Sequence, residues 1–143
     1  MTPIIRPAEP RDAAEIARLL TALGHPTEEQ SVAARWDEWA AAGNAAFVAE
    51  KDGGGLSGLV TTHRMLVLHR LLPVGRITAL IVDESARGSG MGRRLVAAAE
   101  DLLASAGCGL LEITSNTRLV QAHAFYEHLG YERTSIRLAK QLR

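Results

Sequence analysis

Residues 77–82 read Ile-Thr-Ala-Leu-Ile-Val, a nearly all-apolar run. A strand of this make-up fits the centre of a sheet, buried on both faces. Such a sheet is covered by helices, so the run points to an α/β architecture. Asp83 to Arg87 follow, then Gly-Ser-Gly-Met-Gly, and a helical pattern begins at once. Leu95, Ala98, Ala99, Leu102 and Leu103 fall on one stripe of that helix. This strand–turn–helix unit, from Ile77 to Ala106, organises the rest of the chain.

Upstream, residues 4–6 predict a first strand and residues 9–24 a helix, with Pro10 at its first position. Residues 27–43 predict a second helix, where Thr27 and Gln30 have capping-box spacing. Its Val32, Trp36 and Trp39 share a stripe, which at helical spacing reads as core or interface rather than a ligand wall. Residues 46–50 and 56–63 flank Lys-Asp-Gly-Gly-Gly and predict an antiparallel hairpin. Residues 65–76 leave strand, short helix and loop open. Downstream, residues 109–114 predict a strand, 120–130 a helix, and 131–142 one or two final strands. The expected fold is α/β: a mixed sheet of six to seven strands with about four helices, in a single domain over 1–143.

The bulk chemistry excludes some partners. Lys plus Arg and Asp plus Glu are 16 each, so DNA and anionic membranes, which are recognised through charge, are not expected. Aromatic residues make up only 4%, too few to favour stacking on exposed bases. No apolar run approaches a membrane span. Cys108 is the only cysteine, which rules out an intrachain disulfide and makes a reducing cytoplasm the simplest compartment. None of the five histidines pairs at i, i+4, and no metal site is expected.

The glycine turn has three conceivable guests. Free N–H groups and the helix dipole favour a phosphate at the start of the helix. A triphosphate loop needs Gly-Lys-Ser/Thr, but Gly92 is followed by Arg93 and Arg94. A dinucleotide turn needs a third glycine where Arg93 stands, and it starts closer to its strand than Gly88 does to Val82. The third guest is coenzyme A. Arg87-x-x-Gly90-x-Gly92, after an apolar strand and opening a helix, resembles the acyl-CoA signature of the GNAT acetyltransferase superfamily. Ala122, Phe125, Tyr126, Gly130 and Tyr131 in "AHAFYEHLGY" resemble the second signature of that family. The resemblance runs along essentially the whole chain. From Leu111 onward it is especially similar to small-molecule N-acetyltransferases of the aminoalkylphosphonate type.

The resemblance implies direct transfer of an acetyl group from acetyl-CoA to a primary amine of a small molecule. It implies a pyrophosphate on the backbone amides of Arg87, Gly88, Ser89, Gly90, Met91 and Gly92, with Arg93 nearby. It places the pantetheine arm along Leu80, Ile81 and Val82, whose strand splays from the next to leave a slot. A backbone amide near Leu80 and Ile81 would polarise the thioester carbonyl. Tyr126 would be the general acid for the departing thiolate. Many relatives carry a Glu base on the central strand, where this chain has none. Glu112, His63 and a water chain therefore all remain open as the base. Relatives often have Asn seven residues before the Tyr; here that residue is Leu119, and Asn116 is the remaining candidate for a CoA contact. The family expectation places acceptor residues in 24–42 and 64–75 and includes a homodimer. Protein or peptide N-acetylation and a non-catalytic acyl-CoA sensor are the competing readings. Arg133, Arg137, Lys140 and Arg143 read as the solvated face of a terminal strand or as an anion-attracting rim.

Overall fold

The computed structural model describes residues 3–115 and 117–143. Five strands form one sheet in chain order: β1 (Ile4–Pro7), β2 (Asn44–Glu50), β3 (Leu56–Met65), β4 (Val74–Val82) and β5 (Leu110–Ile113). The first four pair antiparallel, and β4 pairs with β5 in parallel. The helices are α1 (Ala13–Leu23), α2 (Glu29–Ala41), α3 (Met91–Ser105) and α4 (Val120–His128).

Two apolar clusters cover the two faces of the sheet. Ile16 and Leu19 of α1 pack with Val48, Leu59 and Ile81, and Trp36 and Trp39 of α2 close over them. On the other face Met91, Leu95, Val96 and Ala99 of α3 pack with Val60 and Ile77, and Phe125 of α4 joins them. Neighbouring strand residues feed opposite clusters, as the two-residue repeat of a strand requires. No helix among the described residues is long and apolar enough to cross a membrane.

The α/β class and the four helices stand, but the sheet has five strands rather than six to seven. The missing strands are those expected over 131–142, where the chain adopts no regular structure. Ile136 and Leu138 alternate with charged residues as strand residues do, yet they and Leu142 stand exposed. Alternation builds a strand only where a neighbouring edge and a buried face receive it. Residues 66–73 form the open loop between β3 and β4, so β4 begins at Val74, three residues before the apolar run.

Local chemistry at two helix starts also differs from the simple pattern. Pro10–Asp12 is a 3-10 turn leading into α1, with Glu9 and Asp12 in a reciprocal capping box. Thr27 does not cap α2: its hydroxyl donates to the His25 carbonyl at 2.6 Å. The N-cap is Glu28, without a side-chain cap.

Gly43 closes the junction from α2 to β2 with φ +93°, in the left-handed region that favours glycine. A Cβ there would lie 2.8 Å from the Arg64 carbonyl oxygen, while Arg64 N–H donates to the Gly43 carbonyl at 2.9 Å. Gly43→Ala is therefore expected to destabilise by about 2 kcal/mol or more. Denaturant unfolding checks this, and a loss below about 0.5 kcal/mol, as at an ordinary surface site, would contradict it.

Candidate active site

β4 is irregular at the point where the chemistry converges. Thr61 of β3 faces Ala79, but Thr62 faces Ile77, so Thr78 is an extra residue that bulges β4. Pairing with β5 covers only Val74–Ile77. From Thr78 to Val82, β4 has β3 on one side and no described strand on the other. A strand edge without a neighbouring strand presents backbone donors and acceptors to which an extended amide-bearing chain could add. Leu80, Ile81 and Val82 lie along this open edge. Ile81 is buried towards α1, and Leu80 and Val82 pack towards α3.

The chain then enters the glycine turn. Asp83 N–H donates to the Ser57 carbonyl at 2.8 Å, and a 3-10 turn covers Glu84–Ala86. Arg87 is tied back to the end of β4, its Nε 3.3 Å from the Val82 carbonyl. Ser89 Oγ donates to the Ala86 carbonyl. Gly88 and Gly90 have φ +78° and +83°, so the backbone itself demands glycine at both positions.

Gly92 has a different reason for lacking a side chain. Its φ is not positive, but a Cβ there would lie 3.3 Å from Cζ of Phe125 and 3.7 Å from a Val82 methyl. Gly92 thus allows α4 to dock on the first turn of α3. Arg94 N–H closes that turn on the Gly90 carbonyl at 3.1 Å. Among the described residues, the N–H groups of Met91, Gly92 and Arg93 have no backbone or side-chain partner. They meet the positive end of the helix dipole, an arrangement suited to an anion. The Met91 side chain is buried in the core, so only its backbone is available. Arg93 and Arg94 are both exposed, and Arg94 donates to the Pro3 carbonyl at 3.1 Å.

The Phe125–Gly92 contact brings the second sequence motif to the first. Tyr126 follows Phe125 and makes an edge-on contact with it, ring centroids 5.4 Å apart. Tyr131 packs edge-on against Tyr126 at 6.2 Å, and its hydroxyl donates to Glu100 of α3 at 2.8 Å. Burial pushes the Tyr126 phenol above its ordinary value. Burial and the Glu100 contact hold Tyr131 well above the usual range too. Tyr131 was visible in the sequence only as the last matched residue of "AHAFYEHLGY". Its role in holding α4 to α3 needed the position of Glu100.

The two side-chain candidates for the base, Glu112 and His63, lie on either side of Arg76. Arg76 faces Glu112 across the β4–β5 pair, and its Nε donates to the carboxylate at 2.8 Å. Arg76 also faces His63 across the β3–β4 pair. His63 Nδ1 is buried and has no hydrogen-bond partner among the described residues. His63, Arg76 and Glu112 thus form one row across three strands. Asn116 lies outside the described residues.

On the α1–α2 side, a cavity of about 480 Å³ opens against the sheet. Trp36 and Trp39 form part of its wall, with ring centroids 5.2 Å apart and a 49° tilt. The tryptophans therefore serve both the core and a cavity, and helical spacing had favoured only the first. Thr61 also lines the cavity, and its hydroxyl lies 2.7 Å from that of Thr78 at the bulge.

Comparison with known proteins agrees with this arrangement. Residues 13–131 match the model of the acetyltransferase (GNAT) family. Aminoalkylphosphonate N-acetyltransferase of Salmonella typhimurium is 34% identical over 89 residues, 62% of this chain and 58% of that enzyme. The match thus spans less than two thirds of that relative's length. Aminoglycoside N(6')-acetyltransferase type 1 of Stenotrophomonas maltophilia is 33% identical over 135 residues, 92% of this chain and 88% of that one. A Trypanosoma brucei acetyltransferase structure superposes with a TM-score of 0.86 at 25% identity, covering 97% of this chain and 99% of that one.

Proposed function

This chain belongs to the acetyltransferase (GNAT) family, whose acetyl donor is acetyl-CoA, and we propose that it acetylates a primary amine of a small molecule. One observation carries the reading: the open edge of β4, Thr78 to Val82, runs directly into the uncapped start of α3. An acyl-CoA has two parts to hold, an amide-bearing arm and a pyrophosphate. The open edge offers strand-like hydrogen bonds to the arm. The amides of Gly88, Gly90, Met91 and Gly92 and the side chain of Arg93 serve the pyrophosphate, whereas the Arg87 and Ser89 N–H groups, expected there too, are given to the Glu84 and Ala86 carbonyls within the turn.

The step is an addition followed by an elimination. The neutral amine attacks the thioester carbonyl, and a carbon–nitrogen bond forms. A backbone N–H in the Leu80–Ile81 region holds the developing oxyanion. The carbon–sulfur bond then breaks, and Tyr126 gives its proton to the leaving thiolate. The nitrogen of the adduct still carries one proton too many for an amide; that proton passes through solvent to the phenolate, so the products are an amide and free coenzyme A with Tyr126 restored. Burial of Tyr126 keeps the phenol protonated.

An alkylammonium, with a pKa of about 10.4, must first lose a proton to become that neutral amine. Glu112 is assigned as the acceptor, through water, with the Arg76 guanidinium beside it on β4. Glu112→Gln is expected to lower kcat/KM about tenfold at neutral pH and to move the acidic limb of the pH–rate profile. An unmoved limb would pass the role to His63 or to water alone.

The surroundings of this reading are a single acetyltransferase domain over 1–143 and a reducing cytoplasm, in keeping with the free thiol of Cys108. A homodimer is part of the same reading, and the exposed apolar side chains of Ile136, Leu138 and Leu142 support a covered surface there. Release of free thiol from acetyl-CoA, measured against amines, amino acids and peptides, tests the function. Amine-dependent release is the expected result. Release with peptides alone would favour protein acetylation, and tight acetyl-CoA binding without release would favour a sensor.

A further inference from the structure

The cavity beside α2 says which kind of amine this site takes. Its floor is Leu59 and Thr61 of β3, which stand opposite Ile81 and Ala79 of β4. β3 and the open β4 segment are one strand spacing, about 4.8 Å, apart, so a guest on that floor lies beside that segment. The Thr61–Thr78 hydroxyl contact joins the cavity wall to the bulge itself. A volume of about 480 Å³ is within the range of small-molecule sites.

The walls are chemically one-sided. Trp36, Trp39, Val32 and Leu20 face the space. The charged residues are one of each sign, Arg35 and Glu38. Arg35 also donates from Nε to the Ser31 carbonyl of its own helix at 3.1 Å. A phosphonate needs several converging cationic donors, and this cavity has a single guanidinium already partly engaged. An aminoglycoside buries many hydroxyl and ammonium groups, and the apolar walls leave most of them without partners. The tilted tryptophan pair instead offers broad apolar and aromatic surface.

We propose that the acceptor is a primary amine on an apolar body, aryl-alkyl or branched alkyl, seated against Trp36 and Trp39 with its nitrogen toward the β4 bulge. This rests on the acetyl-transfer reading above and departs from the substrates for which the two enzyme relatives are named. The test compares 2-phenylethylamine, 2-aminoethylphosphonate and kanamycin as acceptors, by thiol release with saturating acetyl-CoA. The expected result is a kcat/KM at least tenfold higher for 2-phenylethylamine. Trp36→Ala and Trp39→Leu should each raise its KM about tenfold, with acetyl-CoA affinity by calorimetry unchanged as the check on folding. Equal or better turnover of the phosphonate or kanamycin, or an unchanged KM in both variants, overturns the proposal and leaves acetyl transfer standing. Quenching of tryptophan fluorescence by 2-phenylethylamine provides a readout independent of turnover. Quenching without thiol release from any amine would overturn the transfer reading while keeping the apolar site; the absence of both would overturn both.

Discussion

Tyr126→Phe is expected to lower turnover about a hundredfold while leaving acetyl-CoA affinity within a factor of two. General acid catalysis contributes about 10² to 10⁴ in rate, and a thiolate is a good enough leaving group to put this case at the lower end. Affinity is spared because the pyrophosphate and arm contacts assigned here lie on β4 and the start of α3, not on α4. Phenylalanine keeps the ring that packs edge-on between Phe125 and Tyr131. The loss would therefore report the hydroxyl rather than a shifted helix. The pH dependence has a sign as well. Burial raises the phenol above its ordinary value of about 10, so the group stays protonated through that value. The wild-type alkaline limb should lie above pH 10, and the Phe variant should lose the contribution of the phenol to it. Turnover unchanged at saturating substrates would remove Tyr126 from the mechanism.

Asp12→Ala is expected to cost about 3–5 kcal/mol of folding stability, the usual penalty for breaking a buried ion pair from one side. Asp12 is 6% exposed. Its two carboxylate oxygens accept from both terminal nitrogens of Arg6, at 2.8 and 2.9 Å, and one also accepts the Glu9 N–H at 2.8 Å. Truncation removes two hydrogen bonds from a guanidinium that is only 17% exposed and leaves the 3-10 turn before α1 without its capping box. Glu50 also accepts from Arg6 and moderates the loss.

The Arg6 hydrogen bonds hold the Asp12 carboxyl below the usual carboxylate range. A depressed native pKa contributes stability that is fully present above the unfolded value of about 3.9. That contribution is lost as pH falls through the lower native value. Wild-type melting temperature should therefore drop steeply below about pH 4, and Asp12→Asn should flatten that drop. Glu15 is held low by Arg18 and the Leu56 N–H, and it leaves a residual slope in the variant. Equal acid limbs in the two proteins would mean that Asp12 does not titrate as its contacts require.

Much of the site was legible because it depends on near neighbours in the chain. The apolar run, the left-handed glycines at 88 and 90, and the stripe of α3 each follow from a few consecutive residues. Other features depend on partners far away. That Gly92 makes room for Phe125 could not be seen from the turn alone, since all three glycines looked alike. The bulge at Thr78 is a mismatch of register between two strands and has no local signature. The Arg76–Glu112 pair needed the β4–β5 register, which placed an arginine beside one of the candidate bases. The tail over 131–142 failed in the opposite direction. Ile136 and Leu138 alternate with polar neighbours, but alternation cannot say whether a neighbouring edge will receive it.

The most direct measurement is single-turnover transfer of isotopically labelled acetyl from acetyl-CoA, with enzyme in excess and 2-phenylethylamine as acceptor among a panel of primary amines. Mass spectrometry would follow label on the amine, on the protein and on coenzyme A. The account predicts one labelled amide per free coenzyme A formed, with no label on the protein at any time. Acetyl-CoA bound but intact after prolonged incubation with every amine, or label accumulating on the protein, would contradict it.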